Sequence, residues 1–213
     1  NVTMKLYGFF RSGAAYRVRI ALGLKGLKAQ CLSRHLRKGE QRSADYLAIN
    51  PQGLVPSLVL DDGTVLTQSL AILDYLDETY PEPPFLPKDP IERAKVRAFA
   101  LAIACDIHPV QNLKVLNAVQ ALTGSAEAMN DWARSTNQNG LEACEAMIAS
   151  NPAPFCFGDR PTLADICLVP QLVNARRFGA DLTKLPRLLI AEAACLQLPA
   201  FADAAPERQP DAE

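Results

Sequence analysis

The chain has 213 residues, long enough for one large domain or two small ones, and its 49% hydrophobic and 21% charged residues are ordinary for a folded globular protein. A net charge of -1 gives no bulk attraction to nucleic acid or to an anionic membrane, so any charged substrate must be recognised locally. No stretch approaches the ~20 apolar residues of a membrane span, and no basic-then-apolar leader opens the chain, so neither a membrane segment nor a signal peptide is expected.

Asn1-Val2-Thr3 precedes Met4 and reads as a cloning remnant, although it also matches a glycosylation sequon. In chain order, Lys5-Leu6-Tyr7 begins a strand and Gly8 to Gly13 a loop. From Ala14, the apolar residues Val18, Ala21 and Leu22 follow helical spacing until Gly26. Ala29 to Leu36 reads as a second strand, and Ala44 to Ile49 as a short helix ended by Asn50-Pro51. Ser57 to Leu60 and Thr64 to Leu66 alternate about the turn Asp61-Asp62-Gly63, a hairpin signal. Ser69 opens a helix with Leu73, Leu76 and Tyr80 on one face. The order is β-α-β-α-β-β-α.

The proline-dense run from Tyr80 to Pro87 can be neither helix nor central strand and reads as a linker. Everything after it looks helical. One long helix runs from Ile91 to about Val119, kinked or broken near Pro109. A second covers Ser125 to Ser150, with Trp132, Leu141 and Met147 available for a core. Two more cover Thr162 to Phe178 and Leu185 to Leu196, and the stretch after Pro206 is expected to fray. The chain therefore reads as a small α/β domain over 4–82 joined to an all-α domain over 90–206.

Six cysteines (Cys31, Cys105, Cys144, Cys156, Cys167 and Cys195) are scattered with no Cys-x-x-Cys pair. Most lie among aliphatic residues, where a reduced thiol behaves as a small hydrophobe. With only His35 and His108 to help, no metal site is expected, and a reduced, cytoplasmic protein is.

Three short constellations carry chemistry. Val55-Pro56 sits between a loop and a strand, where proline marks an edge or a tight turn and where a cis peptide is most common. In a β-α-β-α-β-β-α domain that proline is where thioredoxin-like folds expose a backbone N–H and C=O to a peptide ligand; a plain strand-edge proline is the simpler alternative. Gln68-Ser69 precedes a helix, whose first N–H groups attract an anion unless Ser69 is only a cap. In Phe10-Arg11-Ser12-Gly13-Ala14-Ala15-Tyr16-Arg17, Ser12 faces a helix start, where a hydroxyl and the helix dipole stabilise a thiolate. That loop holds no cysteine and no histidine base, which argues for a thiol brought by a cofactor, with a simple Ser12 cap as the alternative. Thr162-x-x-Asp165 has the form of a capping box and reads as structural.

Taken together these stretches resemble a known family. Phe-Arg-Ser-x-x-x-x-Arg-Val-Arg-Ile-Ala-Leu-x-Leu-Lys-Gly, Leu-x-x-Asn-Pro-x-x-x-Val-Pro and Gln-Ser-x-Ala-Ile-x-x-Tyr-Leu are similar to the zeta-class glutathione transferases. So are the stretches from Asp106 to Asn112 and from Gly158 to Asp165, and the likeness runs from about Met4 to Pro206. The class includes maleylacetoacetate isomerases and bacterial maleylpyruvate isomerases. The resemblance implies a thioredoxin-like N-terminal domain, an all-α C-terminal domain, a homodimer, and glutathione as cofactor. It places glutathione against Val55 and Pro56, with its γ-glutamyl carboxylate at Gln68 and Ser69. Gln52 and His108 or Gln111 fall near its glycyl end, and Ser12 at its sulfur. The implied activity is cis–trans isomerisation of a maleyl dicarboxylate, maleylacetoacetate to fumarylacetoacetate. The alternatives are maleylpyruvate isomerisation, a general transferase conjugating small electrophiles, or a non-catalytic protein on the same fold.

Where the class commonly reads Ser-Ser-Cys, this chain reads Ser12-Gly13-Ala14, a loss of cysteine that it shares by resemblance with the maleylpyruvate branch. A dianionic substrate calls for cations, since arginine grips a carboxylate bidentately. Arg11 and either Arg176 or Arg177 are the candidates. Lys114 stands where that branch carries a further arginine.

Overall fold

The computed structural model describes residues 4–213, and Asn1-Val2-Thr3 lies outside them. The chain forms two units, one made of 4–84 together with 198–213 and one of 85–197.

The first unit holds a four-stranded sheet in the order β2-β1-β3-β4, with β1 Met4–Gly8, β2 Ala29–Ser33, β3 Ser57–Val59 and β4 Val65–Thr67. Strand β1 runs parallel to β2, pairing Leu6 with Cys31, and antiparallel to β3, pairing Leu6 with Leu58. The β3–β4 hairpin closes at Gly63, whose φ of +89° suits the turn, while Thr64 N donates to Asp62 Oδ1. Three helices complete the β-α-β-α-β-β-α order: α1 Gly13–Leu24, α2 Ala44–Ile49 and α3 Ser69–Thr79. Helices α1 and α3 pack together, burying Val18, Ile20, Ala21, Ile72, Leu73 and Leu76, the stripes that helical spacing demands. Tyr80 falls outside this stripe: it caps the C-terminus of α3 and is exposed.

Strand β2 stops three residues earlier than alternation suggests. Arg34 N makes one more ladder bond, to Gly8 O, and His35 N then donates to Glu40 Oε1 at the head of a 3-10 turn over Leu36–Lys38.

The second unit is helical, with α4 Pro90–Asp106, α5 Leu113–Thr123, α6 Ala126–Ile148, α7 Leu163–Arg177 and α8 Pro186–Leu196. The expected long helix is broken: a 3-10 turn at Pro109–Gln111 separates α4 from α5, because Pro109 brings no N–H to continue the ladder. Helix α7 packs against α4, α6 and α8 and is buried along almost its whole length. The Thr162–Asp165 pair is a capping box as read, and Asp165 also accepts from Cys156 N at 3.0 Å. Burial raises the Asp165 pKa against the pull of those donors. Leu141 is in the core, but Trp132 and Met147 are exposed. The indole instead lies on the surface and donates Nε1 to Val110 O at 2.9 Å. Phe85 and Leu86, from the proline-rich linker, are buried in this unit.

Residues 198–213 return to the first unit, starting with the short helix α9 Pro199–Ala202 packed on α1. Residues 198–206, which composition assigns to the helical domain, therefore belong elsewhere. The stretch after Pro206 does not fray: Asp211 accepts from Phe10 N and Ser33 Oγ, and Glu213 pairs with His35 and Arg37. Polar partners distant in sequence hold what local composition leaves loose. All six cysteines are free, four of them buried, and burial pushes the Cys144 thiol up to about 12. Among the described residues no helix is long and apolar enough to cross a membrane.

Candidate active site

The loop after β1 leads straight into α1. Ser12 is its N-cap, with extended backbone, and Ser12 Oγ accepts from Ala15 N at 3.1 Å. An oxygen that accepts from the helix keeps its own proton to donate outward. The turn closes on itself through Ser12 N to Phe9 O at 2.9 Å. Arg11 is exposed, its guanidinium 5.2 Å from the centre of the Phe10 ring. Nothing between Gly8 and Arg17 is a nucleophile or a base at neutral pH. Hence the site presents a hydroxyl and a helix start but no thiol of its own.

A second wall comes from the loop before β3. Tyr46 Oη donates to Leu54 O at 2.5 Å and meets Ser57 Oγ at 2.8 Å, while Asn50 Nδ2 donates to Leu54 O at 2.9 Å. Gln52 N is held by Asn50 Oδ1, and Gly53 turns the chain at a φ of +64°. These bonds fix the carbonyl before Val55 and leave Val55 itself open. Among the described residues neither its N–H nor its C=O has a partner, and the Val55-Pro56 bond is cis. A pair of unmade backbone bonds beside a sheet fits an extended peptide-like ligand.

The third wall is the start of α3. Gln68 is its N-cap, at φ 67° and ψ 120°, and makes no side-chain cap bond. Among the described residues it is the one non-glycine at positive φ, a conformation costing about 1–3 kcal/mol that persists only where its surroundings hold it. Its Nε2 instead donates to Gln52 Oε1 at 2.9 Å, which brings these two expected ligands together. Ser69 Oγ accepts from Arg17 Nη1 at 3.0 Å. The first turn of α3 thus keeps N–H groups without a side-chain cap, beside a buried guanidinium, a setting suited to a carboxylate. Arg17 was not among the expected site residues. Its signal is a charge on the buried stripe of α1, where it is 3% exposed.

The remaining expected residues lie in the helical unit. His108 precedes the Pro109–Gln111 turn and is half-buried. Gln111 is buried, donates Nε2 to His108 O at 3.2 Å, and accepts from Asn137 Nδ2 at 3.1 Å. Asn137 Oδ1 accepts in turn from Gln171 Nε2 at 2.6 Å. Gln111 thus stands in an interior amide chain with Asn137 and Gln171. Glu192 on α8 grips both arms of the Arg176 fork and raises its pKa. A guanidinium already bidentate to one carboxylate is poorly placed to clamp another. Arg177 donates Nη2 to Asn174 Oδ1 and lies over the Phe178 ring, and Lys114 is exposed on α5.

An α/β unit with this strand order, a serine at the first helix start and a cis X-Pro before β3, followed by an all-helical unit, is the architecture of glutathione transferases. The family model for the glutathione S-transferase N-terminal domain matches residues 6–84, and that for the C-terminal domain matches 126–193. A probable maleylacetoacetate isomerase of Vibrio cholerae is 46% identical over 99% of this chain and 99% of its own length. The holo structure of a bacterial zeta-class maleyl pyruvate isomerase superposes with a TM-score of 0.95 at 45% identity, covering 98% of this chain and 100% of that one. The glutathione-bound maleylacetoacetate isomerase of Anaeromyxobacter dehalogenans superposes with a TM-score of 0.90 at 43% identity, covering 99% and 98%. The chain belongs to the glutathione S-transferase family, in its zeta-class group of maleylacetoacetate and maleylpyruvate isomerases.

Proposed function

We propose that this protein is a glutathione-dependent cis–trans isomerase of a maleyl dicarboxylate, converting maleylacetoacetate to fumarylacetoacetate. The observation that carries the reading is a capped helix start presenting the Ser12 hydroxyl with no thiol or imidazole between Gly8 and Arg17. The free Val55 N–H and C=O and the open first turn of α3 fit a peptide-like cofactor that ends in a carboxylate. When bound, glutathione would supply the thiolate nucleophile for a reversible addition to the cis double bond, and Ser12, Val55, Gln68 and Ser69 would hold it.

The chain's own residues do the rest. Ser12 donates a hydrogen bond to a sulfur anion at the start of α1, where the helix dipole also lowers a thiol pKa. Val55 and Pro56 hold the backbone of the cofactor. Gln68 and Ser69, with Gln52 beside Gln68 and Arg17 behind Ser69, hold its carboxylate end. Arg11, exposed beside Ser12, is the cation for the substrate carboxylates, a preorganised charge where the conjugated carbonyl becomes anionic. The scattered free cysteines support a reduced cytoplasmic protein, and the likeness to zeta-class isomerases supports a homodimer working in aromatic catabolism.

A second reading, maleylpyruvate as the substrate, is favoured by Ser12-Gly13-Ala14, which lacks the cysteine usual in the class. The experiment is turnover of maleylacetone and of maleylpyruvate, each with and without glutathione, with free thiol assayed at the end. Glutathione-dependent turnover with no thiol consumed is expected, and the ratio of kcat/KM values chooses the substrate. Stoichiometric loss of thiol would make the protein a conjugating transferase instead.

A further inference from the structure

We infer that Asp211 is a positioning residue for the catalytic loop, holding Phe10 and through it the Ser12 hydroxyl; the inference rests on the role proposed above for Ser12. Asp211 Oδ2 accepts from Phe10 N at 3.0 Å and from Ser33 Oγ at 2.9 Å. One carboxylate oxygen therefore ties the loop after β1 to the end of β2. Phe10 is held at its carbonyl as well, by Arg19 Nη2 at 3.3 Å, and Arg19 Nε donates to Ala204 O at 3.0 Å. Both backbone polar groups of the residue two before Ser12 are thus fixed, directly or in one step, by the segment that returns from the helical unit.

That segment is itself anchored. Gln209 Nε2 donates to Asp203 O and Ala205 O, and Glu213 accepts from His35 Nε2 at 2.6 Å and Arg37 Nη2 at 2.5 Å. Beside it lies an open cleft of about 200 Å³ bordered by Phe9, Phe10, Arg19, Cys31 and Asp211. Phe9 and Phe10 are buried and stack edge to face at 4.8 Å, and the loop backbone is held beside them at a few polar points. A displacement of the order of 1 Å at a catalytic group can cost about a hundredfold in rate.

The test compares Asp211→Asn, Asp211→Glu and Asp211→Ala with the wild type. The readouts are kcat and KM for maleylacetone, the pKa of the bound glutathione thiol from ultraviolet thiolate absorbance, and hydrogen exchange of the Phe10 amide. Asp211→Asn keeps an oxygen in the same place and is expected to stay within about threefold of wild-type kcat, whereas Asp211→Glu keeps the charge but moves the oxygen and loses about tenfold or more. Asp211→Ala is expected to lose about tenfold to hundredfold in kcat with little change in KM, to raise the bound thiol pKa, and to speed Phe10 exchange. An Asp211→Ala protein that folds and keeps the wild-type kcat and thiol pKa overturns the inference. So does the reverse order, with Glu active and Asn inactive, and this pair decides the matter if the alanine variant does not fold. If the wild type shows no glutathione-dependent turnover, the isomerase reading falls, while Phe10 exchange and the bound thiol pKa still decide whether Asp211 positions the loop.

Discussion

Arg17 Nη1 donates to Ser69 Oγ across 3.0 Å, inside the α/β unit, tying α1 to the first residue of α3. The two helix starts that define the site are thereby linked through one buried bond. Arg17→Met keeps the apolar stem and removes the donor, and is expected to lower the unfolding free energy by about 2 kcal/mol, the range for a hydrogen bond to a charged group. It should also weaken glutathione binding. In denaturant titrations, Arg17→Met combined with Ser69→Ala should fall short of additivity by about 1 kcal/mol. Strict additivity would show that the bond couples nothing.

Ser12 has two roles, and they separate by measurement. As an N-cap its loss costs about 1 kcal/mol of stability. As donor to a sulfur anion its loss costs about tenfold to hundredfold in kcat, the value of a charged hydrogen bond. Ser12→Ala should show both effects, whereas Ser12→Thr should keep most of the cap and part of the rate. A fully active Ser12→Ala enzyme would remove Ser12 from the mechanism.

Gln68 holds a left-handed φ that an L side chain adopts at a cost. Gln68→Gly is expected to relieve about 1 kcal/mol of backbone strain while losing the bond to Gln52. The signature is a higher denaturant midpoint together with a higher Kd for glutathione by calorimetry. If stability falls, the positive φ is not a strained feature.

Gly140 lies on α6 against Ile107, and a Cβ built there meets Ile107 Cγ1 at 2.4 Å and Cδ1 at 2.5 Å. Gly140→Ala gains helix propensity but overpacks the residue next to His108. Overpacking should win by about 1–3 kcal/mol. Ile107→Val should restore part of the loss, as read by thermal unfolding of the single and double variants.

The Glu213 latch carries a pH dependence. The hydrogen bond from His35, followed by the charges of His35, Arg37 and Lys38, lowers the Glu213 pKa below 4.5. A depressed acid contributes its stabilisation in full above its unfolded value and loses it as pH falls through the folded one. Hydrogen-exchange protection of 206–213 should therefore stay level above pH 4.5 and fall below it. Glu213→Gln should flatten that fall.

Some of this was legible in the sequence because it is local. The β-α-β-α-β-β-α order follows from side-chain periodicity, Gly63 from its turn, the Thr162–Asp165 capping box from its spacing, and the break near Pro109 from a missing N–H. Ser12, Val55-Pro56 and Gln68-Ser69 could be singled out for the same reason, since each is a short motif at the edge of an element.

The partners of Gln111 and Arg176, Asn137 and Glu192, could not be read beforehand because they are remote in sequence. A side chain's availability depends on what folds against it, which no spacing encodes. The same applies to Trp132, whose surface position comes from Val110 O, and to Arg17, whose charge on an apolar stripe is explained by Ser69, 52 residues away. Residues 206–213 are polar and look loose, yet Asp211 reaches Phe10 across 201 positions. Sequence by itself determined the elements and the short motifs at their ends, since those depend on neighbours within a turn or two. Tertiary structure alone decided which polar groups are engaged and which are left to bind, because a buried donor or acceptor is satisfied by whichever partner the fold brings within about 3 Å.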